Sequence, residues 1–305
     1  MRPFLKYRGG KMRDIPFFAD YFPSASDYTR YVEPFFGGGA VFFHLEPRRA
    51  LLNDINAKLM RAYRQVRDRY GRVRRELDEL QATYERNHRT FLERKKVAHS
   101  EVRVPNPNEC LYYRMREEFN CPSGQYLEAT VYYFINKTAY SGMIRYNKKG
   151  EYNVPYGHYN RFNANVLTRQ HSELLRSAHI CTTDYGRILR ETNDNDFIFL
   201  DPPYDCVFTD YGNLRFSGDF AEAEHRRLAA DFKNLSGKAL MVISKTPFIE
   251  ALYRPYIVDV YDKHYTVNIR NRFKSEAQHA VISNYHRTHV RIGPLHNCQK
   301  GKAIL

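Results

Sequence analysis

One stretch constrains this chain more than any other: Phe197-Ile-Phe-Leu-Asp201-Pro202-Pro203-Tyr204-Asp205. A short, continuous apolar run reads as a strand buried on both faces of a sheet. Pro202 and Pro203 cannot donate to a ladder, so the strand stops there. Asp201 and Tyr204 are thereby presented at the carboxyl end of a strand, where open α/β sheets bind ligands. Carbonyls beside prolines tend to be free acceptors, Asp201 adds a carboxylate, and Tyr204 adds a flat ring. Two acceptors and a ring suit a planar base with an exocyclic amino group. The plainer alternative is a strand end followed by a turn, with Asp201 capping the next helix.

Upstream lies a strand–loop–helix unit. Tyr28 to Phe35 reads as a strand, Phe36-Gly37-Gly38-Gly39-Ala40 as a turn, and Val41 to Leu45 as an apolar helix. A glycine turn after the first strand lets a ligand approach the backbone closely. Gly37 and Gly39 fit the dinucleotide fingerprint, but Phe42 stands at its third glycine, which argues against a pyrophosphate-bearing ligand. Leu51-Leu52-Asn53-Asp54 brings a second strand to an acid. Asp54 is placed either to bind ribose hydroxyls or to cap a helix over 56–70. Near the amino end, Lys6-Tyr7-Arg8-Gly9-Gly10-Lys11 reads as an anion-cradling loop or as a basic turn.

Residues 58–164 change character. Arg61, Arg64, Arg67, Arg69, Arg72, Arg74 and Arg75 stud one helical stretch, and Tyr84 to Lys96 reads as a second, very basic helix. Charge runs are usually solvated faces, but this one carries excess positive charge. The whole chain has 48 Lys+Arg against 34 Asp+Glu, a net charge of +14, together with 25 Tyr and 20 Phe. Such a balance points to a polyanionic partner, and the aromatic content suits bases as well as phosphates. Asn147-Lys148-Lys149-Gly150, between β-favouring segments, is a hairpin signal. A basic hairpin flanked by tyrosines can enter a nucleic-acid groove.

From about 165 the α/β pattern resumes. A helix over 165–178 leads to a strand at 179–185 ending in Asp184-Tyr185, an acid and a ring suited to an adenine. After the 197–204 strand, loop 205–219 is long enough for a mobile lid. A helix over 220–235, a strand over 239–244, and β-rich segments at 256–261 and 279–285 complete the sheet. Cys110, Cys121, Cys181, Cys206 and Cys298 form no C-x-x-C pair, which argues against disulfides and zinc and fits a reducing cytoplasm. No signal peptide or membrane-spanning run is expected.

In order, the glycine loop, strand-end acid, basic hairpin and D-P-P-Y closely resemble the Dam-type (D12 class) DNA adenine-N6 methyltransferases, the α arrangement of amino-methyltransferases. The resemblance covers roughly residues 4–285 through F-L-K-Y-R-G-G-K, E-P-F-F-G-G-G, N-D-I-N, R-Y-N-K-K-G-E-Y-N-V-P-Y-G and D-P-P-Y. It implies an α/β, Rossmann-like class I sheet spanning 1–57 and 165–290. It further implies a mainly helical DNA-recognition insertion over 58–164 that carries the hairpin; beyond it, the residues at 291–305 read by composition as a basic tail. S-adenosylmethionine is the implied methyl donor, and adenine in duplex DNA the acceptor.

By that match Tyr7 and Lys11 line the cofactor site beside Glu33, Phe35, Gly37 and Gly39. Asp54 holds the ribose, and Asp184 with Tyr185 holds the cofactor adenine. Asp201, Pro202, Pro203 and Tyr204 form the catalytic motif. Tyr140 enters the opened duplex and Arg145 reads a guanine. Lys6, Ser141, Met143, Lys148, Pro155 and Tyr159 complete the DNA-facing set. Ser141 stands where relatives that read GATC often have Asn, and Lys245-Thr246-Pro247 replaces a more usual Asn-containing turn.

The implied chemistry uses no metal and no covalent enzyme intermediate. Cytosine-C5 methylation needs a Pro-Cys nucleophile, whereas this chain has only Cys121-Pro122, in the reverse order. A zinc deaminase needs P-C-x-x-C, which is absent. Cytosine-N4 or RNA methylation, and a catalytically silent DNA-binding protein, remain the alternatives. The expected state is a cytoplasmic monomer of bacterial or phage origin. It acts beside a cognate restriction endonuclease, alone, or for a phage, and the residues do not choose among these.

Overall fold

The apolar run at 197–200 is buried because it forms the middle of a sheet. The computed structural model describes residues 1–7, 9–99, 103–203, 220–264 and 276–285. Its strands are β1 (Arg30–Glu33), β2 (Ala50–Asn53), β3 (Ala178–Cys181), β4 (Asp196–Leu200), β5 (Lys238–Ser244), β6 (Ile257–His264) and β7 (Glu276–Ser283). They form one sheet in the order β3-β2-β1-β4-β5-β7-β6. The first five are parallel, and β7 runs antiparallel to both of its neighbours. The chain moves outward from β1 to β3 and then returns to the other side of β1 as β4. The topological switch therefore lies between the carboxyl ends of β1 and β4.

Strand periodicity assigns the two faces. Tyr31, Phe197, Phe199, Leu240 and Val242 point into one core, and Val32, Ile198, Leu200, Met241 and Ile243 into the other. The helices are α1 (Ile15–Phe18), α2 (Ala40–Leu45), α3 (Ala57–Val97), α4 (Pro107–Asn120), α5 (Glu128–Thr138), α6 (Arg169–Leu175), α7 (Tyr185–Arg190), α8 (Glu222–Lys233) and α9 (Pro247–Tyr253). The second core is closed by side chains of α7, α8 and α9. The first runs without a break from the sheet into α3, α4 and α5. Among the described residues no helix is long and apolar enough to cross a membrane.

Several sequence expectations change. The two basic helices expected between 58 and 96 are one, α3, of 41 residues, capped by Asn56. Its only non-helical backbone is at Arg69, close to Gly71, a weak helix former. Leu59, Tyr63, Val66, Val73, Leu77, Leu80 and Tyr84 form its buried seam, and nothing beyond Tyr84 is buried. The helix expected over 165–178 is a short 3-10 turn followed by α6, since Thr168 and His171 close a capping box there. The strand expected over 179–185 ends at Cys181, because Asp184 already caps α7 through the Gly186 N–H. The hairpin has no regular strands. Two isolated bridges, Ala139 to Tyr156 and Tyr146 to Tyr152, hold it around an Asn147–Gly150 turn. The 205–219 loop, Tyr204 and the 291–305 tail lie outside the described residues.

Candidate functional site

The switch point collects acids. Glu33 ends β1 and is buried, and the buried Tyr31 hydroxyl donates to it at 2.8 Å. Burial pushes the Glu33 carboxyl well above the usual carboxylate range, the Asp201 and Asp54 charges add to the rise, and the Tyr31 hydrogen bond opposes it. Asp201 follows β4 and forms an ion pair with Lys11. Lys11 is 1% exposed and Asp201 22%, so the carboxylate is the member that reaches the crevice. Burial raises the Asp201 carboxyl, and the Lys11 ammonium opposes the rise. The sequence assigned Lys11 and Asp201 to different sites, 190 residues apart, and the structure joins them.

The glycine turn is shaped around Tyr7. A Cβ at Gly37 or Gly38 would lie 2.7 Å from Tyr7 atoms, and one at Gly39 would lie 2.6 Å from the Phe36 ring. Gly37 and Gly39 also have positive φ, which favours glycine. The close approach inferred for this turn is thus made by an aromatic side chain of the protein itself. Asp54 spans the turn, accepting from the Gly37 N–H and the Asn56 N–H, each at 2.8 Å. Asn56, not Asp54, caps α3, so the capping alternative for Asp54 falls away. Burial raises Asp54, and these two N–H groups hold it back.

Asn53 is a brace that sequence reading missed. Buried at the end of β2, it donates to Pro34 O and Thr183 O at 3.0 Å and accepts from the Thr183 N–H at 2.9 Å. It thereby joins the loops after β1 and β3. Its place in N-D-I-N was visible, but its partners were not.

Beyond that brace, Phe35, Tyr185 and Phe220 cluster with ring centroids 5.0 to 5.9 Å apart. Asp184 receives both Nη atoms of Arg227, at 2.5 and 3.2 Å, and Arg227 lies 4.7 Å from the Tyr185 ring centroid. A Cβ at Gly186 would meet Arg227 Nη2 at 2.4 Å. Arg227, unremarked in the sequence, is therefore part of this corner. Deeper, Lys263 pairs with Asp14, and the buried His279 lies between Ser244 Oγ at 3.4 Å and Tyr261 OH at 3.3 Å. Burial holds the His279 imidazole down at about 2, with Lys11 and Lys263 contributing, so it stays neutral under working conditions.

The residues expected at DNA lie along 140–159 and at Lys6, which precedes the Tyr7 that packs against the glycine turn. Lys6 is tied to α5 by Asn136, whose side chain accepts from the Lys6 N–H at 2.8 Å and donates to its carbonyl at 2.7 Å. The Lys6 ammonium lies 4.4 Å from the Tyr159 ring centroid. Beside it is Lys137, which the sequence did not single out; burial and the Lys6 charge lower its ammonium to about 8. Tyr140 is 55% exposed at a corner where Ser141 and Gly142 both have positive φ and the Met143 N–H donates back to Tyr140 O. That is the pattern of a type I′ turn. Arg145, Lys148 and Pro155 are exposed nearby, and Met143 and Tyr159 are half-buried. Arg145 Nε donates to Asn153 Oδ1 at 3.0 Å. Thr246 caps α9 with Pro247 in its first turn, which accounts for the Lys-Thr-Pro sequence at that strand end.

Comparisons with known proteins agree on one class. Residues 7–269 match the family described as D12 class N6 adenine-specific DNA methyltransferase. The chain is 34% identical to the Type II methyltransferase M.CviBI of Paramecium bursaria Chlorella virus NC1A, over 93% of this chain and 100% of that protein. It is 30% identical to the Type II methyltransferase M.MjaIII of Methanocaldococcus jannaschii, over 87% and 88%. It is 27% identical to a DNA adenine methylase of Salmonella typhi, over 79% of each. With a strand-end acid at the switch point of a mainly parallel sheet, and a family match across most of its length, the chain belongs to the D12 class of N6 adenine-specific DNA methyltransferases.

Proposed function

We propose that the chain methylates N6 of an adenine that it has drawn out of duplex DNA into the β1–β4 crevice, with S-adenosylmethionine as donor. The observation that carries this reading is Asp201 at the switch point, half-shielded and paired with Lys11. The residues around the crevice fit an adenosyl cofactor. Asp54 lies beside the glycine turn where ribose hydroxyls need an acceptor. Phe35 and Tyr185 offer aromatic walls, and Asp184 retains acceptor capacity beyond Gly186 and Arg227. Bound there, the cofactor supplies an activated methyl group on a good leaving group.

The chain's own part is alignment and electrostatics. An adenine amino nitrogen is a poor nucleophile because its lone pair is delocalised into the ring. Hydrogen bonds from that amino group to Asp201 and to the Pro202 carbonyl favour a pyramidal nitrogen and aim its lone pair. Lys11 holds one Asp201 oxygen, fixing the carboxylate and favouring its ionised form. Tyr204 stacks on the extruded base. Tyr140 fills the space the base leaves, Arg145 reads a guanine, and Lys6, Ser141, Met143, Lys148, Pro155 and Tyr159 position the duplex. The catalytic unit is 1–57 with 165–290, and 58–164 selects the target.

Asp201→Ala tests the central role. Duplex binding stays near wild type while single-turnover methyl transfer is lost, because Asp201 acts on the transferring amino group. Near-normal single-turnover rates in that variant refute the assignment.

A further inference from the structure

We propose that the distal part of α3, residues 85–97, is a second DNA contact that grips the phosphates of duplex flanking the methylation site. The proposal rests on reading 140–159 as the DNA-facing surface, because that is where the arm begins. The Tyr84 hydroxyl meets the Tyr156 hydroxyl at 2.5 Å and donates to Tyr159 O at 2.5 Å. Asn87 and Asn108 make the last side-chain hydrogen bonds from this helix to the body among the described residues, with Asn108 also donating to Tyr84 O. Counted from Tyr84, the helix runs on to Val97, a further ~20 Å at 1.5 Å per residue.

Nothing on this arm is buried, so core packing does not explain it. It carries Arg86, Arg89, Arg94, Lys95 and Lys96 against Glu85 and Glu93. None of those five cations makes an ion pair with a carboxylate among the described residues, whereas the earlier arginines of the same helix do so repeatedly. A structural role covers only part of the set. Arg94, Lys95 and Lys96 in the last turn complement the helix dipole, but Arg86 and Arg89 lie too far back to gain from it. Unneutralised cations in a helix that continues outward from the candidate DNA surface match a polyphosphate backbone. Duplex DNA presents a charge every ~1.7 Å of axis, so ~20 Å of arm faces roughly six base pairs.

The test replaces Arg89, Arg94, Lys95 and Lys96 together by Gln, which keeps helix propensity and removes charge. Binding is measured over a salt series on two duplexes carrying the methylation site, one of about 12 base pairs and one of about 30. Wild type binds the longer duplex on the order of tenfold more tightly at low salt, with a steeper salt dependence. In the variant that preference collapses and the long-duplex salt slope falls by roughly 3 to 4, at about 0.9 for each of four phosphates no longer neutralised. Short-duplex affinity moves by less than about twofold, as expected when the flanking phosphates are absent. A charge-keeping variant, Arg89→Lys with Arg94→Lys, retains the preference, which separates removal of charge from damage to the helix. An unchanged salt slope and length preference in the Gln variant overturns the arm's role. Separately, Tyr140→Ala with Arg145→Ala must weaken short-duplex binding; if it does not, the DNA-facing reading of the hairpin fails while the arm's own length dependence still stands or falls by itself.

Discussion

The two ends of α3 share a basic composition but use it differently. In the proximal half, Arg61, Arg64, Arg67, Arg72 and Arg74 are staples, while the exposed Arg69 and Arg75 make no ion pair among the described residues. Arg61 pairs with Glu128, Arg67 with Asp68, Arg72 with Glu76 and Arg74 with Asp78. Arg64, Arg67 and Arg74 also donate to the carbonyls of Ile180, Ala178, Ala164 and Leu167, joining the helix to the start of the returning sheet. Beyond Tyr84 there is no buried seam and, among the described residues, no carboxylate partner. A count of positive charge along the sequence treats both halves as one polyanion-binding run. The structure separates charge consumed in folding from charge left for a ligand.

The largest effect that would sharpen this contrast is at Glu76. It is buried on the proximal half, and its carboxylate takes Arg72 at 2.7 Å, the Leu127 N–H at 3.0 Å and the Thr130 hydroxyl at 2.5 Å. Glu76→Ala leaves a buried N–H and a hydroxyl without an acceptor and costs about 3 kcal/mol. Urea unfolding measures it, and a loss below ~1 kcal/mol would mean that the staples are ornamental.

Next comes a matched pair. Arg74→Ala removes two carbonyl hydrogen bonds as well as the Asp78 pair and costs about 1–2 kcal/mol. Arg94→Ala stays within ~0.5 kcal/mol of wild type, because that residue is exposed and unpaired. Equal stability losses in the two variants would erase the distinction between the halves.

At the junction, Tyr84→Phe removes the hydroxyl that holds Tyr156 and the Tyr159 carbonyl, at a cost of about 1 kcal/mol. It also loosens the loop between hairpin and arm. Hydrogen exchange of residues 156–159 rises in this variant; unchanged protection would show that the two regions are not joined there.

The smallest change lies across that junction, in the turn presenting Tyr140. Ser141 has φ 53 in a type I′ geometry that Asn adopts more readily. Ser141→Asn therefore stabilises by a few tenths of a kcal/mol and leaves the methylated sequence unchanged. A shifted profile in a randomised duplex library would make Ser141 a base reader instead of a corner residue.

Legibility in the sequence followed the range of the interactions. The β4 run, the glycine turn, the acids at 54 and 201 and the Asn-Lys-Lys-Gly turn rest on local backbone preferences or on neighbours within a few residues; the first is a strand in the structure, and the others occupy loops or strand ends. Element ends were less legible. Asp184 reads as the last residue of a strand until its carboxylate is seen taking the Gly186 N–H as a helix cap. The continuity of α3 past Arg75 is written in the seam of Val73, Leu77, Leu80 and Tyr84, but the runs of positive charge on either side of it read as two separate helices.

Fold class, family and the residues at the switch point can all be read from the amino-acid order alone. Alternation, turn chemistry and strand-end motifs are written in short windows, and the family match spans 7–269. Which residues work together emerges only when the chain is folded. Sheet order brings Lys11 to Asp201, Asn53 to the loops after β1 and β3, and Lys6 to Tyr159. Folding also sorts the arginines spent on carboxylates and carbonyls from those that stay open. A side chain's periodicity tells which face it occupies, but its partner is set by elements that the chain reaches many residues later.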